Sequence, residues 1–111
     1  MSAMKFRFVS QASTNLTQVK QYGANLKGAL LINTNAAARF VKLYESTDTP
    51  TVGTTTPAMT IEVPASSQVP LSWPDGINFS KTMWVATTVN VADSDATAVG
   101  AGDLYVQLFI E

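Results

Sequence analysis

Leu104, Val106, Leu108 and Ile110 alternate without a break with Tyr105, Gln107, Phe109 and Glu111. An apolar side chain at every second position is the period of a strand, and a helix cannot bury that set on one side. The same period recurs in Met59, Ile61 and Val63, in Val69, Leu71 and Trp73, and in Met83, Val85, Val89 and Val91. From Gly28 onward the chain reads as short runs rich in Val, Ile, Thr and aromatics: Ala29–Asn33, Arg39–Glu45, Met59–Val63, Val69–Trp73, Thr82–Val91 and Leu104–Ile110. Trp73-Pro74-Asp75-Gly76 between two of them has the chemistry of a turn, with Pro at the second position and Gly at the fourth. Burying each inward side chain is worth about 1.5–3 kcal/mol, so one face of every strand must turn inward. In 111 residues, strands of this kind bury their apolar faces most economically as two packed sheets. The fold class predicted is all-β: an antiparallel two-sheet β-sandwich, jelly-roll-like in its connections.

The first 27 residues read differently. Lys5 to Ser10 has the pattern of a short strand, with Phe6 and Phe8 on one side. Beyond it, Leu16, Val19, Tyr22 and Leu26 fall at helix-like spacing, but Gly23 and Asn25 make a loop or extended arm an equal reading. The chain is therefore divided into residues 1–27, an N-terminal arm or first strand, and residues 28–111, the sandwich domain. The uneven charge is either chance in a short chain or the mark of a basic segment that docks on an acidic surface, its own or a neighbour's. Lys5, Arg7, Lys20, Lys27, Arg39 and Lys42 all precede the first carboxylate, Glu45, and only Lys81 follows it. A basic segment with few apolar positions orders best against an acidic surface, and here Phe6 and Phe8 would anchor it.

The other face of the strands carries the candidate binding residues. In these registers Trp84, Tyr105 and Phe109 point away from the core, and Phe40 and Tyr44 lie opposite Val41 and Leu43. Such aromatics either form a contact between subunits, or are covered by loops or the N-terminal segment, or mark a flipped register. The interface set is Phe6, Phe8, Phe40, Tyr44, Trp84, Tyr105 and Phe109.

Chemistry is poorly provided for. There is no histidine and no cysteine, which removes the usual general base, the thiol nucleophile and the commonest metal ligands. No phosphate-binding glycine loop or paired strand-end carboxylate stands out. Asp93-Ser94-Asp95 could open a calcium loop, but Ala98 and Leu104 occupy the positions that need Gly and Glu. A solvated turn is the better reading. No enzyme, catalytic residue, metal or cofactor is expected. Six cations spread over 44 residues are too dilute for a nucleic-acid groove. No apolar run approaches the roughly 20 residues of a membrane span, and the start lacks a signal-peptide core. Synthesis in a cytoplasm, with neither nucleic acid nor membrane as partner, is the expectation.

Two stretches carry a resemblance. Asn35-Ala36-Ala37-Ala38-Arg39-Phe40-Val41-Lys42-Leu43-Tyr44 leads to Thr49-Pro50-Thr51-Val52-Gly53-Thr54-Thr55-Thr56-Pro57-Ala58-Met59-Thr60-Ile61, and Ala92-Asp93-Ser94-Asp95-Ala96-Thr97-Ala98-Val99-Gly100-Ala101-Gly102-Asp103-Leu104 leads into the last strand. Together they resemble small virion proteins of tailed bacteriophages, over roughly Gly28 to the end. The resemblance implies a non-enzymatic particle component made in the host cytoplasm. A capsid decoration or cement protein on the phage head fits best, its partners being the major capsid protein and further copies of itself. The alternative is a tail or adsorption module that binds a host receptor or carbohydrate, with Trp84 or Trp73 as an aromatic platform.

Overall fold

The computed structural model describes residues 3–111. Eight strands make up its regular structure: β1 (Met4–Val9), β2 (Thr17–Lys20), β3 (Ala24–Asn33), β4 (Arg39–Glu45), β5 (Met59–Val63), β6 (Ser67–Phe79), β7 (Met83–Thr88) and β8 (Leu104–Ile110). No helix occurs among the described residues. The strands form two four-stranded sheets, ordered β1-β8-β3-β6 and β2-β7-β4-β5, and all neighbours run antiparallel. β1 pairs with β8, β2 with β7, β3 with β6 and β4 with β5. This is one long hairpin, closed at β4–β5 and rolled so that its successive segments alternate between the sheets. That is the strand order of a jelly roll.

The alternation in the sequence becomes the core. Leu104, Val106, Leu108 and Ile110 of β8 are buried, as are Leu26, Ala29 and Leu31 of β3 and, across the gap, Val41, Leu43, Met83 and Val85. β4, β5 and β8 occupy the spans that the sequence pattern predicts. β7 is shorter than expected. It ends at Thr88, so Val91 leaves the strand and is 59% exposed.

The N-terminal segment is built into both sheets. Phe6 stands opposite Leu108 and Phe8 opposite Val106 across the β1–β8 ladder. Both rings therefore face inward, where they meet edge to face at 6.0 Å and pack on the core. Ser10 fastens the end of β1: its N–H donates to Leu104 O at 2.8 Å and its hydroxyl to Gly100 O at 2.9 Å. Thr17–Lys20 pairs with β7, so the helix-like spacing over Leu16 to Leu26 is not a helix. The expected boundary at residue 27 falls inside β3. Of the two readings of residues 1–27, the first strand is the one seen; residues 1 and 2 lie outside the described residues.

Trp73-Pro74-Asp75-Gly76, expected as a turn between strands, lies within β6. Leu26 pairs with Ile77 and Gly28 with Ser72, so four residues of β6 stand against Lys27 alone. The turn chemistry is spent on a wide bulge, with Gly76 at φ 80° and the Lys27 ammonium donating to Pro74 O at 2.5 Å. Such a bulge is tolerated because β6 is an edge strand, where Pro withholds no needed donor.

Candidate functional site

Among the described residues no strand covers the outer face of the first sheet. Ladder register sets Val9, Tyr105 and Ile32 in one row across β1, β8 and β3. Arg7, Gln107, Leu30 and Pro70 form the next, and Lys5, Phe109, Gly28 and Ser72 the third. Val9, Leu30, Ile32, Tyr105 and Phe109 stay half-buried, each keeping some access to solvent. The rim at β1 is cationic, with Lys5 and Arg7 exposed, and the Arg7 guanidinium lies 5.8 Å from the centre of the Tyr105 ring. None of these positions holds a carboxylate.

Of the seven aromatics expected at an interface, the structure brings Tyr105 and Phe109 together on this face. The others lie elsewhere. Phe6 and Phe8 point into the core, because opposite residues of an antiparallel ladder share a face and theirs are Leu108 and Val106. Phe40 and Tyr44 do oppose Val41 and Leu43, but they are buried within the chain, at 9% and 0% exposure. That corrects their assignment to a subunit contact. Trp84 is half-buried on the same side as Tyr44, and its indole N–H donates to Ser46 O at 2.9 Å. With one edge tied to the chain, Trp84 is a poor free platform, and Trp73 packs against the core from the β6 bulge. Leu30 and Ile32 join this face outside the set expected from the sequence. Their signal was the unbroken run Ala29-Leu30-Leu31-Ile32, the pattern of a strand with apolar demand on both faces.

The outer face of the second sheet is covered by the chain's own loops. Lys42, fully buried in β4, reaches out to the β7–β8 loop and donates to Ala92 O at 2.6 Å and Asp95 O at 3.2 Å. That loop in turn touches the β4–β5 loop, where a Cβ at Gly53 would stand 3.1 Å from the Ala96 Cβ. Burial pushes the Lys42 ammonium below its ordinary pKa, and the nearby Asp95 and Asp93 charges offset part of that. Burial also raises the Tyr44 phenol, with Asp93 adding to it.

The carboxylates here serve local structure. Burial alone would raise Asp95, but hydrogen bonds from Thr97 and Asn90 outweigh it and hold the group at about 2. Asp103 behaves alike: bonds from the Gly100 N–H, Asn35 and Arg39 overcome its desolvation, and its ion pair with Arg39 is 3.2 Å long. The Ser80 N–H and hydroxyl lower Glu45. Asp95, Asp103 and Glu45 are thus occupied by donors of the chain itself, from turns and, for Asp103, from Arg39 at the start of β4, an arrangement that fixes loops. Among the described residues there is no group of three or more His, Cys, Asp or Glu that could hold a metal ion.

Comparison with family models, with curated proteins and with solved structures gives no match.

Proposed function

We propose that this chain is a structural protein of a tailed-phage virion, a capsid decoration or cement protein without enzymatic activity. In this reading it lays the outer face of its first sheet on major capsid subunits, with further copies of itself alongside. The observation that carries the reading is that face: Val9, Leu30, Ile32, Tyr105 and Phe109 form an apolar patch rimmed by Lys5 and Arg7, while loops cover the opposite side. An apolar centre with aromatic anchors and a charged rim is the anatomy of a protein contact. Rim pairs contribute only about 0–1 kcal/mol each, so the patch supplies the affinity and the cations favour an acidic partner. The resemblance of residues 35–61 and 92–104 to phage virion proteins supports the partner's identity.

The test is the position of the chain on particles. In electron micrographs of virions assembled with a labelled copy, label over the head lattice is expected. Ile32→Asp and Phe109→Asp, each checked for an unchanged melting temperature, should empty those positions. Label at the tail tip, or full head occupancy by both variants, overturns the proposal.

A further inference from the structure

We propose that the cleft between the β2–β3 and β6–β7 turns is a binding site for a neutral sugar. It encloses about 360 Å³, at the small end of the range for small-molecule sites, and opens broadly to solvent. Tyr22, Asn25, Asn78, Ser80 and Glu111 line it.

Tyr22 sets this cleft apart. Its ring is 85% exposed, and its backbone sits at φ 67°, a conformation that bulky side chains seldom adopt. The fold needs that conformation at the turn but has no use for the ring, and Gly or Asn would hold the turn with less strain. A strained residue that presents an aromatic to solvent beside a cleft points to a ligand. The turn is also fixed in place. The Tyr22 N–H donates to Thr82 Oγ1 at 3.3 Å, and the Lys20 ammonium donates to Gly23 O at 2.8 Å. Gly23, at φ 109°, lies so close to β6 that a Cβ there would be 2.8 Å from Phe79 O. The ring is therefore displayed from a rigid base, which lowers the ordering cost of binding.

The polar groups define the ligand. Asn78 Nδ2 donates to Asn25 Oδ1 at 3.3 Å. Among the described residues this leaves Asn25 Nδ2 without an acceptor and Asn78 Oδ1 without a donor, one free donor and one free acceptor on adjacent strands. An open, mostly polar cleft suits no greasy ligand. A pyranose has the matching character: an apolar C–H face for the tyrosine ring and neighbouring hydroxyls that both donate and accept. Among the described residues no cation lines the cleft: Lys20 is occupied by Gly23 O, and Lys81 of the β6–β7 turn is exposed outside the lining, whereas Glu111 adds negative charge, so phosphorylated or acidic sugars are disfavoured.

Titration of the full chain with glucose-, galactose- and N-acetylglucosamine-based oligosaccharides, followed by amide NMR, tests the site against a sialylated control. At least one neutral series should bind and shift the Gly23 and Asn78 amides. Tyr22→Gly should weaken that binding by about tenfold or more without lowering the melting temperature, since glycine accepts the backbone conformation that tyrosine strains. Asn78→Ala should weaken it with the fold intact. Absence of binding by every neutral series, a preference for the sialylated control, or undiminished binding by Tyr22→Gly overturns the assignment.

Discussion

The ammonium of Lys42 is fully buried and lies 2.6 Å from the main-chain carbonyl of Ala92, fifty residues further along the chain. Among the described residues no carboxylate reaches it within ion-pair distance; the only such pair is Arg39 with Asp103. Lys42 thus works as a tether, a cation on an outward strand position that draws the β7–β8 loop down over Phe40 and Tyr44.

Replacing Lys42 by Met separates the tether from the charge. The lowered pKa means that burial costs the ammonium more than its surroundings return, and the unfolded chain holds that proton to higher pH. The penalty accordingly fades as pH rises between the folded and unfolded pKa values. Lys42→Met removes the penalty together with two charge-assisted hydrogen bonds, so global stability is expected to change by no more than about 1 kcal/mol. Amide exchange should respond more strongly, with protection lost at Val89 and Asp95, whose N–H groups bond within this loop. A fall of more than about 2 kcal/mol in unfolding free energy would show that the ammonium stabilises the fold outright.

Tyr44 gives the complementary case. Its hydroxyl is buried and has no hydrogen-bond partner among the described residues. A stranded buried polar group costs about 1–3 kcal/mol, whereas the ring loses little by becoming phenylalanine. Tyr44→Phe is expected to raise stability by about 1 kcal/mol in urea unfolding. A loss of that size would mean that the hydroxyl has a partner in solution.

These two residues also show how far the sequence could be read. Alternation placed Phe40 and Tyr44 on the face opposite Val41 and Leu43 correctly, because side-chain direction in a strand is local. What covers that face is not local: it depends on a loop fifty residues away closing onto Lys42. β4, β5 and β8 were legible for the same local reason. The first four residues of β3, Ala24–Lys27, were not, since their strand character comes from pairing with β6 and β8. Phe6 and Phe8 alternate as expected, yet which side is inward is decided by their partners on β8. The cleft at Tyr22 was illegible because it arises from two turns that meet only in the folded chain.

The inward Phe8 leads to a third expected outcome. Phe8 is half-buried and packs on the core, and truncating a core aromatic costs about 3–5 kcal/mol when burial is complete. Phe8→Ala should therefore lower stability by about 2 kcal/mol or more. Deleting residues 1–10 should go further and prevent folding, because it strips β8 of its neighbour and removes the Ser10 bonds to Gly100 and Leu104. A deletion protein with an unchanged melting temperature would restore the detachable arm.

Asp95 governs the acid limit of the same loop. Burial works to raise its pKa, but its carboxylate accepts from the Thr97 hydroxyl at 2.7 Å, the Asn90 side chain at 3.2 Å, and the Asn90 and Thr97 N–H groups at 3.1 and 3.3 Å. These bonds win and hold the group at about 2, below the ordinary 3.8 that the unfolded chain retains. As pH falls through that interval the unfolded state takes up the proton first, so stability is lost on acidification and is fully present above it. Asp103 and Glu45, also lowered, act in the same direction. Asp95→Asn keeps the shape but presents an NH₂ where a carboxylate oxygen accepted, and should cost about 1 kcal/mol near neutral pH. Because the variant has no proton to gain there, its urea-unfolding free energy should decline less steeply between about pH 4 and pH 2, and the two curves should converge at the acid end. Parallel curves with a constant offset would remove Asp95 from the acid response and leave Asp103 and Glu45 to account for it.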